Sequence, residues 1–122
     1  MNKQRILIVE DETSLSDIIL HMLEFFGHEG ITANNGITAL KIIDKEAFDC
    51  IIMDLTLPDF SGIELYKKFI RKNPAYRERI IFTSGHSITN ELSDLIKKDH
   101  LSFLPKPFTV DQFQSMIGTV LK

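Results

Sequence analysis

Two kinds of hydrophobic spacing alternate along this chain. Unbroken apolar runs, Ile6-Leu7-Ile8-Val9, Cys50-Ile51-Ile52-Met53 and Ile80-Ile81-Phe82, read as strands buried on both faces of a parallel sheet. Between them, apolar residues recur every three or four positions, as on an amphipathic helix. Leu15, Ile18, Ile19, Met22, Leu23 and Phe26 predict a first helix, with Thr13 or Ser14 as its N-cap and Gly27 as its stop. Gly30–Ala33 is a short strand, Asn34-Asn35-Gly36 a turn, and Ala39, Leu40 and Ile43 a second helix ending near Glu46. Beyond the strand that ends at Asp54, Ser61-Gly62 leads into a third helix with Ile63, Tyr66, Phe69 and Ile70 on one face. Asn73-Pro74 closes it, because the residue before a proline is pushed out of the helical region. Leu92, Leu95 and Ile96 give a fourth, more polar helix, and Leu101–Leu104 a fifth strand. Thr109-x-x-Gln112 is a capping-box pattern opening a last helix that carries Val110, Phe113, Met116, Ile117, Val120 and Leu121.

Five strands alternating with five helices, joined by short connections, predict an α/β doubly wound (βα)5 fold. Its sheet is five-stranded and parallel, in the order 2-1-3-4-5, with helices on both faces. The 122 residues make one domain, 1–122, with no repeat, linker or room for an output domain.

Composition narrows the function. With 43% hydrophobic and 25% charged residues the chain can fold, and its net charge of −3 gives no footprint for direct nucleic-acid contact or anionic lipid. Lys67, Lys68, Arg71, Lys72, Arg77 and Arg79 read as a solvated face. No apolar run approaches the roughly 20 residues of a membrane span, and no signal peptide opens the chain. The lone Cys50 fits packing in a reducing cytoplasm. His21 and His28 read as helix-surface and loop residues, with no second ligand at metal spacing.

In a doubly wound sheet, ligands gather outside the carboxyl ends of the strands, near the switch point in strand order. That edge carries Glu10, Asp11 and Glu12 after strand 1, Asp54 after strand 3, Ser84 after strand 4 and Lys106 after strand 5. Strands 1 and 3 are central neighbours, so three carboxylates converge. Like charges this close raise one another's pKa unless a cation intervenes. An oxygen-only donor set suits Mg²⁺. Together a carboxylate nucleophile, a metal, a lysine and a hydroxyl can surround the oxygens of a phosphoryl group.

Val9-Glu10-Asp11-Glu12, Met53-Asp54-Leu55-Thr56-Leu57-Pro58, Gly62, Ser84-Gly85 and Lys106-Pro107-Phe108, in that order, resemble a response-regulator receiver domain of the CheY-like kind. The resemblance covers essentially the whole chain. It implies that Asp54 accepts a phosphoryl group from a histidine kinase or histidine phosphotransfer protein. It implies Mg²⁺, with Mn²⁺ as a substitute, bound by Asp11, Asp54 and the backbone carbonyl of Thr56, with Glu10 acting through a water. Ser84 would bond the phosphoryl group and move on activation, Phe103 would be the switch aromatic, and Lys106 would pair with a phosphoryl oxygen and, before that, with the acids. The Lys106-Pro107 bond would be cis, and Thr56 and His86 would tune phosphoryl lifetime. The switched surface would be helix 4, strand 5 and helix 5, read by a downstream protein, with the chain a cytoplasmic monomer or a phosphorylation-dependent dimer. Three departures stand out: Glu10 is longer than the usual Asp, Ser61 replaces a frequent Asp, and Phe103 lacks the hydroxyl that a Tyr would bring.

Other chemistries fit less well. A flavin-binding electron carrier on this fold needs a hydroxyl- and glycine-rich loop where Glu10-Asp11-Glu12 stands. A Mg²⁺-dependent phosphatase working through an aspartyl-phosphate commonly has a second Asp two residues after the nucleophile, where this chain has Thr56. A hydrolase built on Ser84 or Ser87 with His86 lacks a Gly-x-Ser-x-Gly elbow.

Overall fold

The computed structural model describes residues 3–86 and 89–121, so Ser87 lies outside the described residues. Five strands form one parallel sheet: β1 (Arg5–Val9), β2 (Glu29–Ala33), β3 (Cys50–Asp54), β4 (Ile80–Ser84) and β5 (Ser102–Pro105). Their order is β2-β1-β3-β4-β5, the order expected. The helices are α1 (Thr13–Phe25), α2 (Gly36–Lys45), α3 (Gly62–Lys72), α4 (Asn90–Asp99) and α5 (Val110–Val120).

The unbroken apolar runs are explained by the two layers they feed. Along β1, Ile6 and Ile8 point into one core, with Ile19 and Leu23 of α1 and Phe113 and Ile117 of α5. Leu7 and Val9 point into the other, with Ala39 of α2 and Leu65, Tyr66 and Phe69 of α3. Cys50 and Ile52 join the first core, Ile51 and Met53 the second. A strand alternates its side chains between faces, so a sheet covered on both sides needs apolar residues at every position.

Several local expectations shift. The N-cap of α1 is Glu12, without a side-chain cap, rather than Thr13 or Ser14. The buried face of α3 is Leu65, Tyr66 and Phe69, while Ile63 is half-exposed beside α4. After Asn73 the chain makes a 3-10 turn, Pro74–Glu78, which buries Tyr76 beneath Phe69. The Tyr76 hydroxyl accepts the Phe48 N–H at 3.3 Å. His28 sits in a loop as expected but is buried, its Nδ1 accepting the Gln4 N–H. Of the α4 residues only Leu92 is buried, in keeping with that helix's polar sequence.

Cys50 is fully buried in β3, and burial pushes its thiol up to about 12. The native thiol is therefore expected to resist iodoacetamide at pH 8, with labelling rising along the denaturant unfolding curve. Rapid alkylation without denaturant would contradict this placement of β3.

Candidate functional site: an acid cluster closed by a lysine

β1 and β3 are hydrogen-bonded neighbours with Val9 opposite Met53, so the residues that end them emerge side by side. Glu10 and Asp54 are buried, Asp11 is exposed, and one carboxylate oxygen from each lies within 4.8 Å of the others. The convergence expected of strands 1 and 3 is observed.

Lys106 reaches the same point from β5. Its N–H donates to the Ser84 carbonyl at 2.8 Å, and the Lys106–Pro107 bond that follows is cis, as the resemblance implied. The ammonium lies 2.7 Å from Glu10 Oε1 and 3.2 Å from Asp54 Oδ2. The other two carboxylate oxygens also have donors. Glu10 Oε2 accepts the Glu12 N–H at 3.1 Å, and Asp54 Oδ1 accepts the Thr56 N–H at 3.0 Å. Two carboxylates can stay buried here because every oxygen meets a proton donor and one full positive charge lies between them.

The balance is uneven. Burial is the largest influence on Glu10 and pushes its carboxyl up to about 7; Lys106 and the Glu12 N–H oppose the rise, and neighbouring Asp54 adds to it. Desolvation works to lower Lys106, but its hydrogen bond to Glu10 and the charge of Asp54 leave it above its ordinary value.

Ser84 is buried at the end of β4, and its Oγ accepts the His86 N–H at 3.0 Å. Ser84, exposed Thr56 and exposed His86 line a cleft of about 470 Å³ with Lys67 and Glu91. Phe103 is half-buried on β5, opposite Phe82 of β4. The structure thus gathers Glu10, Asp11, Asp54 and Lys106 at one point, puts Thr56, Ser84 and His86 on the adjoining cleft wall, and sets Phe103 back on β5. Ser61, the departure from the frequent Asp, forms a capping box with Glu64 at the start of α3.

Sequence reasoning missed the residues that hold the loop after Asp54. Asp59 accepts the N–H of Gly36 at 2.8 Å and of Ile37 at 2.9 Å, tying the loop to the first turn of α2. A Cβ on Gly36 would lie 2.3 Å from the Phe60 ring, so the glycine lets the loop close down. At the other end, a Cβ on Gly62 would meet Leu55 Cα at 2.8 Å and the Asp54 carbonyl at 3.1 Å. Gly62 is thus a packing requirement of the strand end itself. Asp59 and Gly36 are 23 positions apart, so no local pattern pairs them.

Comparison with known proteins agrees with this geometry. The family model for the response regulator receiver domain matches residues 6–118. The chain belongs to that family, whose members are signalling modules of two-component systems. It is 27% identical to sporulation initiation phosphotransferase F of Bacillus subtilis, over 99% of this chain and 96% of that one. A CheY-like receiver domain protein from Methanospirillum hungatei superposes with a TM-score of 0.88 at 29% identity, covering 98% of this chain and 94% of that one. Response regulator TrrA of Thermotoga maritima, solved in complex with Mg²⁺-BeF, superposes with a TM-score of 0.84 at 29% identity, covering 97% of this chain and 99% of that one. Against three curated transcriptional regulatory proteins that it also matches, the chain spans 26%, 45% and 53% of their length.

The raised Glu10 carboxyl makes a prediction for the metal-free protein. A carboxyl whose folded pKa lies above its unfolded value favours folding at low pH and loses that contribution as pH rises from about 4.5 to about 7. The denaturation midpoint of wild type, measured relative to Glu10→Gln across this window, is therefore expected to fall as pH rises. A constant difference between the two proteins would refute the assignment.

Proposed function

We propose that this chain is a phosphoacceptor of a two-component phosphorelay, with Asp54 as the nucleophile. The observation that carries the reading is the buried Asp54 carboxylate at the centre of the sheet edge, held by Lys106 and crowded by Glu10 and Asp11. An Asp54 oxygen would attack the phosphorus of a phosphohistidine. The O–P bond forms, the N–P bond breaks, and the departing imidazole keeps the electron pair and takes up a proton.

The acid cluster fits Mg²⁺ or Mn²⁺, since three carboxylates with converging oxygens make a hard, oxygen-only donor set. Asp11, Asp54 and the Thr56 carbonyl would hold the ion, Glu10 would act through a water, and the ion would offset charge on the phosphoryl oxygens. Lys106 would exchange its carboxylate partners for a phosphoryl oxygen, and Ser84 would turn its hydroxyl from the His86 N–H to donate to another. Thr56 and His86, on the open cleft wall, would govern water's approach to the acyl phosphate.

The consequence would be a switch. Movement of Ser84 toward the phosphoryl group frees space beside Phe103, on the strand between α4 and α5, and α4 has few buried contacts to hold it. A downstream protein would read the α4–β5–α5 surface, as a monomer or through phosphorylation-dependent dimers. No helix among the described residues is long and apolar enough to cross a membrane, which suits a cytoplasmic module. The phosphodonor's approach is suggested by an apolar groove of Leu15, Ile18, Met22, Phe108 and Val110 that runs between α1 and the start of α5 up to Lys106. Ile18 and Val110 are both more than half exposed there, which suits a helical histidine donor.

Incubation with acetyl phosphate and Mg²⁺ is expected to add the mass of one phosphoryl group to wild type and none to Asp54→Asn. Undiminished labelling of that variant would overturn the assignment. For the groove, Ile18→Asp is expected to slow transfer from a phosphorylated histidine donor about tenfold while leaving acetyl phosphate labelling unchanged. Equal transfer rates would move the docking surface elsewhere.

A further inference from the structure

At the opposite end of the sheet, where the chain enters β1 and β2, α1 and α5 leave a second concavity. Its volume is about 490 Å³, and it is lined by Gln4, Phe26, His28, Ile117, Gly118 and Leu121, with Gln114 at its rim. That is the size range of small-molecule sites. Two observations set it apart from an ordinary gap between helices.

The first is His28. It is 5% exposed, and its Nδ1 accepts the Gln4 N–H at 3.3 Å. Accepting at Nδ1 places the proton of a neutral imidazole on Nε2. Burial lowers the tendency of this ring to charge, which keeps it in that form. Nε2 has no hydrogen-bond partner among the described residues, yet no buried side-chain atom is both sealed from solvent and unsatisfied. Nε2–H therefore faces open space, and the space that His28 lines is this cavity. An acceptor seated against this N–H would take the place of solvent there, in a setting where little water competes for the bond.

The second is Gly118. Glycine inside a helix is less favourable than alanine, because it loses more backbone freedom on folding. Nothing lies within 4 Å of where its Cβ would be, so no close contact requires it. Its effect is to leave the α5 wall of the cavity without a side chain between Ile117 and Leu121.

We infer that this cavity binds a small, uncharged, largely apolar molecule carrying one hydrogen-bond acceptor, such as a ketone, ester or amide, with the acceptor on His28 Nε2–H and the apolar body against Phe26, Ile117 and Leu121. The class follows from the lining. Among the described residues it holds no Lys, Arg, Asp or Glu to compensate a charged ligand, and the imidazole N–H it offers is neutral. The site is separate from the acid cluster and does not rest on the phosphoacceptor reading.

Acetophenone is a suitable probe, and α-methylstyrene keeps its shape while replacing the carbonyl with an apolar CH₂. With the ¹⁵N-labelled 122-residue chain, acetophenone is expected to give saturable shifts at the amides of Ile117, Gly118 and Leu121. α-Methylstyrene should bind about fivefold more weakly, the effect of one neutral hydrogen bond. Gly118→Leu fills the cavity from a position where a side chain meets no neighbour, so it should fold, keep its acetyl phosphate labelling and abolish the shifts. Absence of saturable shifts, equal binding of the two probes, or undiminished binding by Gly118→Leu would each overturn the proposal.

Discussion

The contact on which the functional edge depends is the ammonium of Lys106 between Glu10 and Asp54. Two carboxylates at the ends of adjacent central strands would repel each other and pay for desolvation if nothing answered them. A lysine just past the edge strand β5 answers both, at 2.7 and 3.2 Å. The remaining oxygens fall to backbone donors at Glu12 and Thr56. The burial that makes the cluster costly also makes it responsive. With Glu10 pushed up to about 7, adding or removing a charge nearby redistributes protons and hydrogen bonds. A phosphoryl group or a divalent cation is such a charge.

Rigidity around that cluster is distributed unevenly. The loop after Asp54 is fixed at both ends: by Asp59 across the first turn of α2, and by the close approach of Gly62 to Leu55. On the β4 side, the Ser84 hydroxyl bonds its own loop, at the His86 N–H, and of the α4 residues Leu92 alone is buried. At its far end α4 is anchored more firmly, where the Tyr66 hydroxyl donates to Asp99 at 2.7 Å. A fixed loop after Asp54 facing a helix with one buried residue is an uneven distribution of rigidity that suits a signalling module.

The two faces of the sheet divide the work differently. The α2–α3 layer is the larger core and carries the edge-on pair Tyr66–Phe82 and the tilted pair Phe69–Tyr76. The α1–α5 layer is smaller and leaves two concavities, one at each end of the sheet. The upper groove adjoins Lys106, and the lower cavity adjoins His28. The same thin packing between α1 and α5 makes both available.

By itself the sequence determined the alternation of strands and helices, and hence a parallel sheet covered on both faces. A run such as Ile6 to Val9 can be satisfied only between two helical layers. It also determined which residues end the strands, so Glu10, Asp11, Asp54, Ser84 and Lys106 were legible as one edge once the sheet was parallel. What it left open depends on partners distant along the chain. Ile63 and Leu65 are both apolar and two positions apart on α3, and only packing against the sheet chose Leu65 for the core. His28 looked like a loop residue because burial by Gln4, α1 and α5 leaves no local trace. Asp59 and Gly36 meet only because the β3–α3 loop folds over the start of α2. Tertiary structure decided these because burial and hydrogen bonding are fixed by which surfaces meet, whereas periodicity records only which faces are apolar.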